Sequence, residues 1–263
     1  MSIATLEARS RTIRIAPVSA TPQATFMPHL GTQCSTCHLR DLCLPRDLSD
    51  EDVQQLDRLS LGRRRVGIGQ TLYRAGDRFR FIYAVRSGTF KTSLGLPDGR
   101  EQVSGFHLTG DLMGLDGAGS GVYVSSAIAL EDTAVCMIPY SHLSELCARS
   151  GSLQGIVSRL MGAEIVREYG LMMLLGSMNA EERLAAFLLN LSKRMKARGY
   201  SPVEFHLRMS RAEIGSYLGM KLETVSRTFS AFQQQRLLEV DKRHIRIADL
   251  DGLKGVFEAQ VLH

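Results

Sequence analysis

The feature that most constrains this chain is a stretch of about 25 residues with few helix breakers. It follows Ser150 and reads LQGIVSRLMGAEIVREYGLMMLLGSM. As one α-helix it would form a rod roughly 37 Å long, which is longer than a small domain needs. The sequence therefore predicts a helix that connects two parts of the chain.

Apolar residues recur along this helix in a heptad pattern. Met161, Ile165, Glu168, Met172 and Leu175 follow one another at spacings of four and three residues, with Glu168 as the one acidic member. The periodicity alone is also typical of a core helix packed on its own chain. The length of the rod favours a dimer seam, in which the helix pairs with a second copy of itself.

The residues before this helix alternate in short segments. From about Gly67 to Pro139, segments such as TLYRAG, FIYAVRSG and TFKTSLG are separated by turn sequences at residues 75–77, 97–99 and 109–111. Strands of about five residues at this spacing predict an antiparallel roll or barrel. Residues 1–33 show no consistent periodicity, and we expect them to be a mobile tail.

The residues after the connecting helix read as a helical domain with a wing. The segment AEERLAAFLLNLSKRMKARG predicts a helix that ends at Gly199, EFHLRM alternates like a strand, and VDKRHIRIA predicts a hairpin. Between them, Met209–Phe232 predicts a pair of helices. Ser210 can cap the first of these together with Glu213, and Gly219 supplies the tight turn to the second.

The second helix of this pair carries side chains suited to reading DNA bases. Glu223, Ser226 and Arg227 are spaced to share one exposed face. Arginine can bind guanine with two hydrogen bonds, and glutamate can accept a hydrogen bond from the cytosine amino group. Serine can form a hydrogen bond with either neighbouring base. Residues 180–247 hold 13 Lys and Arg against seven Asp and Glu, a balance of +6. A basic domain of this kind is typical of a polyanion binder.

Composition suggests the cytoplasm. The sequence has no apolar run of the roughly 18 residues that a membrane helix requires, and its first residues show no apolar core followed by a cleavage site. In the reducing cytoplasm, five cysteines point to metal or redox chemistry rather than to structural disulfides.

Four of the cysteines form a candidate ligand set. Cys34, Cys37 and Cys43 have the spacing C-x2-C-x5-C, and Cys136 lies far away in AVCMIP. This spacing favours an iron–sulfur cluster over a structural zinc site, which more often has two C-x2-C pairs. A redox disulfide between Cys34 and Cys37 is the second alternative. Cys147 lies in SHLSELCARS, which predicts a helix, and is expected to be a small buried apolar residue.

With cysteines, roll, seam helix and reader helix in this order, the chain resembles the FNR (fumarate and nitrate reduction) regulators of the CRP/FNR superfamily. The segments GREQVSGFHLTGDLMG, NAEERLAAFLLNLS and LETVSR carry the resemblance most clearly. It implies that Cys34, Cys37, Cys43 and Cys136 ligate a 4Fe-4S cluster, which oxygen converts to 2Fe-2S. Loss of the cluster would disfavour the homodimer and end DNA binding.

The resemblance also implies base readers, partners and a fold. The family's base-reading residues fall on Glu223, Ser226 and Arg227, and its acidic seam residue falls on Glu168. The expected DNA site is an inverted repeat of TTGAT-like half-sites, and RNA polymerase is an expected partner. The expected fold class is α+β, with an N-terminal antiparallel β-roll like the cyclic-nucleotide-binding jelly roll and a C-terminal winged helix-turn-helix.

We therefore expect four parts in the chain. They are a tail (1–33), an iron–sulfur sensor domain with the roll (34–150), a dimerisation helix (151–178) and a winged helix-turn-helix domain (179–263).

Two other functions are less favoured. A cyclic-nucleotide sensor needs a cation near the phosphate, and residues 111–129 contain no Lys or Arg. A cupin-like metal oxygenase needs two histidines with a carboxylate, and the roll segment offers only His107. We expect His107 to be a hydrogen-bonded structural residue, and the chain not to be an enzyme.

Overall fold

The computed structural model describes residues 33–45, 48–59, 62–95 and 98–258. The tail predicted for residues 1–33 lies outside the described residues except for Gln33, as does Pro97 of one predicted turn.

An antiparallel roll forms the first half of the chain, as the alternating segments predict. Its strands are β1 (Gly62–Val66), β2 (Thr71–Tyr73), β3 (Phe81–Ser87), β4 (Thr89–Gly95), β5 (Glu101–Leu108), β6 (Leu112–Met113), β7 (Ser126–Ala129) and β8 (Thr133–Pro139). They make two four-stranded sheets, with the orders β1-β8-β3-β6 and β2-β7-β4-β5. Gly76 and Gly110 have φ angles of 87° and 91°, which confirms the turns predicted at residues 75–77 and 109–111, and Gly99, in the described part of the third, has a φ of 85°.

Aromatic side chains fill the interior of the roll. The rings of Tyr73 and Tyr123 stack with their centroids 4.1 Å apart, and Tyr83 stacks on Tyr73 from 5.5 Å. Phe90 and Val85 are fully buried beside them. This apolar centre holds the two sheets together, so the side chains at the edges of the roll have fixed positions.

Helices cover one end of the roll. They are α1 (Arg40–Cys43), α2 (Asp50–Asp57), α3 (Tyr140–Arg149) and α4 (Gly151–Ser177). The sequence predicted α3 and α4 but not α2 or β1. The 27 residues of α4 correspond to a rod of about 40 Å, and its first turn is capped by Ser150, whose hydroxyl accepts from the amide of Leu153.

The C-terminal part is a winged helix-turn-helix. Its elements are α5 (Ala180–Ala197), β9 (Glu204–His206), α6 (Arg211–Leu218), α7 (Leu222–Gln234), β10 (Leu238–Asp241), β11 (His244–Ile247) and α8 (Leu250–Glu258). The last helix was not predicted. Strands β10, β11 and β9 form a small antiparallel sheet, and the hairpin of β10 and β11 confirms the predicted wing.

Local signals explain the helix pair. Ser210 and Glu213 form the predicted capping box at the start of α6, and Gly219 ends it with a φ of 62°. Ile214 and Val225 are completely buried between the two helices. A side chain at Gly215 would place its Cβ 2.6 Å from the carbonyl oxygen of Met220. Glycine therefore permits the close approach of α6 to the turn.

Three apolar cores position the sites described below. One fills the roll. A second lies between the roll, α2, α3 and the first turns of α4. The third belongs to the helix-turn-helix domain and continues into the roll through Val103, Phe106 and Leu108 of β5. In the part of the chain that the structure describes, no helix is long and apolar enough to cross a membrane.

Candidate cysteine pocket and DNA-reading face

The four predicted cysteine ligands line one pocket. Cys34 and Cys37 lie in a tight loop in which the amide of Cys37 donates to the carbonyl of Cys34 at 3.2 Å. Cys43 ends the single turn of α1. Cys136 lies on β8, paired with Ala84 of β3. Cys136 is 93 positions after Cys43 in the sequence, and the fold of the roll brings it to the same cavity.

The rest of this cysteine pocket is almost entirely apolar. Its volume is about 90 Å³, and its walls come from β3, β8, α2, α3 and α4. One face of α4 supplies Leu153, Ile156, Val157 and Leu160 at the spacings of a single helical stripe. A group bound in the pocket would therefore contact the first half of α4 directly.

Burial keeps two of the four thiols, those of Cys34 and Cys43, protonated. It raises the pKa of Cys34 to about 11, with the charges of Asp57 and the neighbouring cysteines adding to the rise. Burial and the other three cysteines raise the pKa of Cys43 to about 12. Thiolates are the ligand form of cysteine. A metal group bound here would have to displace protons, so its binding would weaken as the pH falls.

Charged side chains that sequence reasoning missed surround the cysteines. An Nη1 atom of Arg86 on β3 lies 3.8 Å from the Sγ of Cys37, and Arg40 lines the pocket. The carboxylate of Asp57, at the end of α2, accepts hydrogen bonds from the backbone amides of Cys34 and Ser35. These contacts join residues that are distant in sequence, so no local sequence motif predicts them.

The chemistry of the donor set, four cysteine thiols, is compatible with an iron–sulfur cluster. Zinc with Zn–S bonds of about 2.3 Å draws its sulfurs to one point, whereas each iron of a four-iron cluster takes its own thiolate. Within the described ranges, no three His, Cys, Asp or Glu side chains are grouped to hold one metal ion. The four thiols line an apolar pocket, and soft sulfur ligands suit iron–sulfur chemistry.

The three predicted base readers lie together on α7. Glu223, Ser226 and Arg227 are all exposed, while Val225 and Phe229 on the opposite side are buried. Lys221, at the N-cap of α7, makes no side-chain cap hydrogen bond, in keeping with its departure from the usual Ser or Thr. The tip of the wing presents exposed Lys242 and Arg243, which are suited to phosphate contacts.

The predicted seam residues occupy different environments. Ile165 and Met172 are 52% and 60% exposed, and Glu168 is exposed beside Arg167, with 3.9 Å between charged atoms. Met161 is half-buried, and Leu175 packs against the core of the helix-turn-helix domain. Three exposed apolar residues that were not predicted continue the surface of α4, namely Val166, Tyr169 and Met173.

His107 is the structural residue that the sequence predicted. It is 3% exposed, and its Nε2 lies 3.1 Å from the hydroxyl of Thr92. Burial lowers the pKa of His107 to about 3, so the ring is neutral. Cys147 was expected to be buried, but it is only half-buried, at the edge of the core beneath α3.

Known proteins resemble this chain over most of its length. Residues 63–150 match the cyclic nucleotide-binding domain family, and residues 182–256 match the Crp-like helix-turn-helix domain family. The transcriptional regulatory protein btr of Bordetella pertussis is 47% identical over 224 residues, covering 85% of this chain and 93% of its own. The fumarate and nitrate reduction regulatory protein of Escherichia coli K12 is 44% identical over 220 residues, covering 84% and 88%.

The chain belongs to the CRP/FNR family of transcription regulators. It is a DNA-binding regulator and not an enzyme.

Solved structures support the fold of this CRP/FNR regulator. FixK2 from Bradyrhizobium japonicum matches with a TM-score of 0.70 and 29% identity, covering 75% of this chain and 98% of that one. A CRP-family regulator from Thermus thermophilus matches with a TM-score of 0.60 at 22% identity, covering 74% and 96%, and shows the fold alone. The predicted order of β-roll, long helix and winged helix-turn-helix is confirmed.

One arginine of this CRP/FNR regulator ties its helices together. Arg183, in the segment NAEERLAAF, donates to the carbonyls of Leu175 and Met178 at 2.8 Å and to that of Leu218 at 3.0 Å. A cation at the C-terminal ends of α4 and α6 also complements their helix dipoles. The segment NAEERLAAFLLNLS carried part of the family resemblance, but the sequence did not predict the hydrogen bonds of Arg183.

Proposed function

We propose that this CRP/FNR regulator responds to oxygen through a 4Fe-4S cluster held by Cys34, Cys37, Cys43 and Cys136. The observation that carries the proposal is the position of the cysteine pocket, whose wall is the first half of α4. A group bound there would contact both the sensor loop and the helix that we expect to form the dimer. In this proposal residues 34–150 are the sensor, 151–178 the dimerisation helix and 179–263 the DNA-binding domain.

The cysteines supply the ligands, and two arginines supply charge. When bound, such a cluster would supply the sensitivity to oxygen, which by the family resemblance would convert it to a 2Fe-2S form. Four thiolates around a cluster leave a net negative charge in an apolar site. Arg86 at 3.8 Å from Cys37 and Arg40 in the pocket wall would offset part of it.

The pocket and the seam share one helix. Leu160 lines the pocket, and Met161 is the first predicted seam residue. A change in how the loop of Cys34–Cys43 packs would shift the stripe of α4 that ends at Leu160. Because α4 is a continuous helix, the shift would reorient Met161, Ile165 and Met172 toward a second copy.

A dimer explains how the reading face would bind DNA. Two copies of α7 would enter successive major grooves, so the site should be an inverted repeat with half-sites about one helical turn apart. By relation to the fumarate and nitrate reduction regulators, the half-site should resemble TTGAT. A regulator bound there would act on transcription through RNA polymerase.

Cyclic nucleotide is not the proposed signal, although the roll matches that domain family. The cavity between the roll and α4 is lined by Asp116, Glu164 and Glu168, with Arg167 as its cation. Arg167 already pairs with Glu164 and lies 3.9 Å from Glu168. A cyclic phosphate would find more negative than positive charge there.

The first prediction concerns the ligands. Replacing any one of Cys34, Cys37, Cys43 or Cys136 by serine should abolish both the visible chromophore and specific DNA binding without oxygen, because four thiolates hold the cluster. Cys147→Ser is the matched control and should keep both. Absorption spectra and operator binding, measured anaerobically on purified protein, provide the test. A Cys136→Ser protein that binds its operator normally would contradict the proposal.

The second prediction concerns Glu168. Across a parallel seam the two copies of this carboxylate would face each other, and like charges about 4 Å apart repel by about 1 kcal/mol in water and about 4 kcal/mol near a protein surface. Glu168→Ala should therefore tighten dimerisation about tenfold or more, and the variant should dimerise and bind DNA even in air.

Sedimentation of the aerobic protein tests this prediction. Glu145→Ala, which removes an exposed carboxylate from α3, is the matched control and should remain monomeric in air. A Glu168→Ala protein that stays monomeric at the same concentration would rule out charge repulsion at the seam.

The third prediction concerns base readout. Arg227 should pair with the guanine of the half-site and Glu223 with a cytosine amino group on the opposing strand. Arg227→Ala or Glu223→Ala should each cost on the order of 1–3 kcal/mol and relax preference at one base pair only. Lys242→Ala, at the wing tip, should instead weaken all sequences alike and flatten the salt dependence.

The measurement is a binding series against operators changed one base pair at a time, at fixed salt and without oxygen. Uniform weakening of every operator by Arg227→Ala would show that this side chain positions the helix and does not read bases.

A further inference from the structure

The turn between β5 and β6 lies between the cysteine loop and the DNA-binding domain. On one side, Gly110 packs against Leu42 of α1 so closely that a Cβ on Gly110 would lie 2.5 Å from the Cβ of Leu42. Gly110 also has a φ of 91°. The turn therefore fits tightly against the helical turn that carries Cys43.

On its other side, the turn holds α5 through a charged bridge. The Oδ2 atom of Asp111 lies 2.5 Å from the Nη2 atom of Arg194, and its Oδ1 atom lies 2.6 Å from the Nη2 atom of Arg198. The same arginines donate to the carbonyls of Phe106 at 2.8 Å and Thr109 at 2.7 Å. We call these three charged residues the Asp111 bridge.

The Asp111 bridge is largely shielded from solvent. The side chain of Arg198 is only 8% exposed, and those of Arg194 and Asp111 are 23% and 21% exposed. Burial opposes ionisation of Asp111, but the charges of Arg194 and Arg198 outweigh it and hold its pKa below the ordinary value. Removing one partner of such a pair leaves the other charge poorly compensated.

The backbone also ties the turn to the strand behind the cysteines. The amide of Gly110 donates to the carbonyl of Val85 at 2.8 Å, and the amide of Val85 donates to the carbonyl of Asp111 at 2.9 Å. Val85 is flanked by Ala84, which pairs with Cys136, and by Arg86, which reaches Cys37. The turn is thus linked, through Val85 and its neighbours on β3, to Cys136 and Cys37.

The DNA-binding domain rests on the roll next to this bridge. Lys91 of β4 pairs with Glu213 of α6 at 2.7 Å. The amide of Val103 donates to the hydroxyl of Ser216 at 2.9 Å, and the rings of Phe106 and Tyr217 lie 5.3 Å apart. The first helix of the helix-turn-helix is therefore docked on β5, the strand that leads into the turn.

We propose that the Asp111 bridge is a second route by which the state of the cysteine loop reaches the DNA-binding domain, separate from the dimer seam of α4. Repacking of Leu42 against Gly110 moves the turn, and Asp111 carries that movement to α5 through Arg194 and Arg198. The orientation of α6 and α7 on the roll then depends on the cysteine pocket. Chains of packed and hydrogen-bonded groups of this kind carry coupling between distant sites. The inference rests on the proposed function of the cysteines as the sensor.

The test compares DNA affinity and amide hydrogen exchange in the cluster-loaded and cluster-free full-length protein, without oxygen and at fixed salt. The DNA is a duplex with two TTGAT half-sites in inverted repeat. Asp111→Asn removes the charge and keeps the shape. Arg194→Gln provides a second variant should Asp111→Asn fail to fold. Asp98→Asn is the matched control, since Asp98 pairs with Arg100 in an exposed turn at 2.7 Å.

For each variant we compare the DNA affinity of the cluster-loaded protein with that of the cluster-free protein. In Asp111→Asn this ratio should fall about fivefold or more, because about fivefold is the lower end of the coupling typically found between two sites. The visible spectrum should be unchanged, and amides of β5 and α6 should exchange faster. Asp98→Asn should behave like the wild type. A ratio within about twofold of the wild type in each bridge variant that folds would overturn this inference and leave the proposed function standing. A wild-type protein with equal affinity in both states would overturn the proposed function as well.

Discussion

The cysteine pocket, which the loop of Cys34–Cys43 and the apolar stripe of α4 form together, is the feature on which the proposed sensor depends. Four thiols and the side chains of Leu153, Ile156, Val157 and Leu160 enclose about 90 Å³. Burial also keeps Cys34 and Cys43 protonated. A pocket of this kind favours a group that fills it and stabilises thiolates, and such a group would bear directly on α4.

The same end of the molecule is connected to the DNA-binding domain in two ways. The first is α4 itself, which continues past the pocket and is tied at its C-terminal end to α5 and α6 by Arg183. The second is the turn that carries Asp111. The helix-turn-helix shares its core with β5, so its orientation relative to the roll is set by packing and ion pairs and not by a free linker. In our proposal, a small repacking at the loop reaches the reading face through these contacts.

Local signals in the sequence predicted the elements that local physics determines. The long helix follows from a run with few breakers, α6 and its turn follow from Ser210, Glu213 and Gly219, and the roll follows from alternation and glycine turns. The helix α2, the strand β1 and the contacts of Arg86 and Asp111 were not predicted, because they depend on partners distant in sequence. Cys136 stands between these cases. Its residue type was informative, but only the roll brings it to the other three cysteines.

The most direct test of the central claim is the visible spectrum of protein purified without air, together with its iron, sulfide and zinc content. We predict a straw-brown protein with about four iron and four sulfide per chain, whose colour bleaches and whose operator binding is lost when air is admitted. A colourless protein with one zinc per chain, or a colour and a DNA affinity that air leaves unchanged, would contradict it.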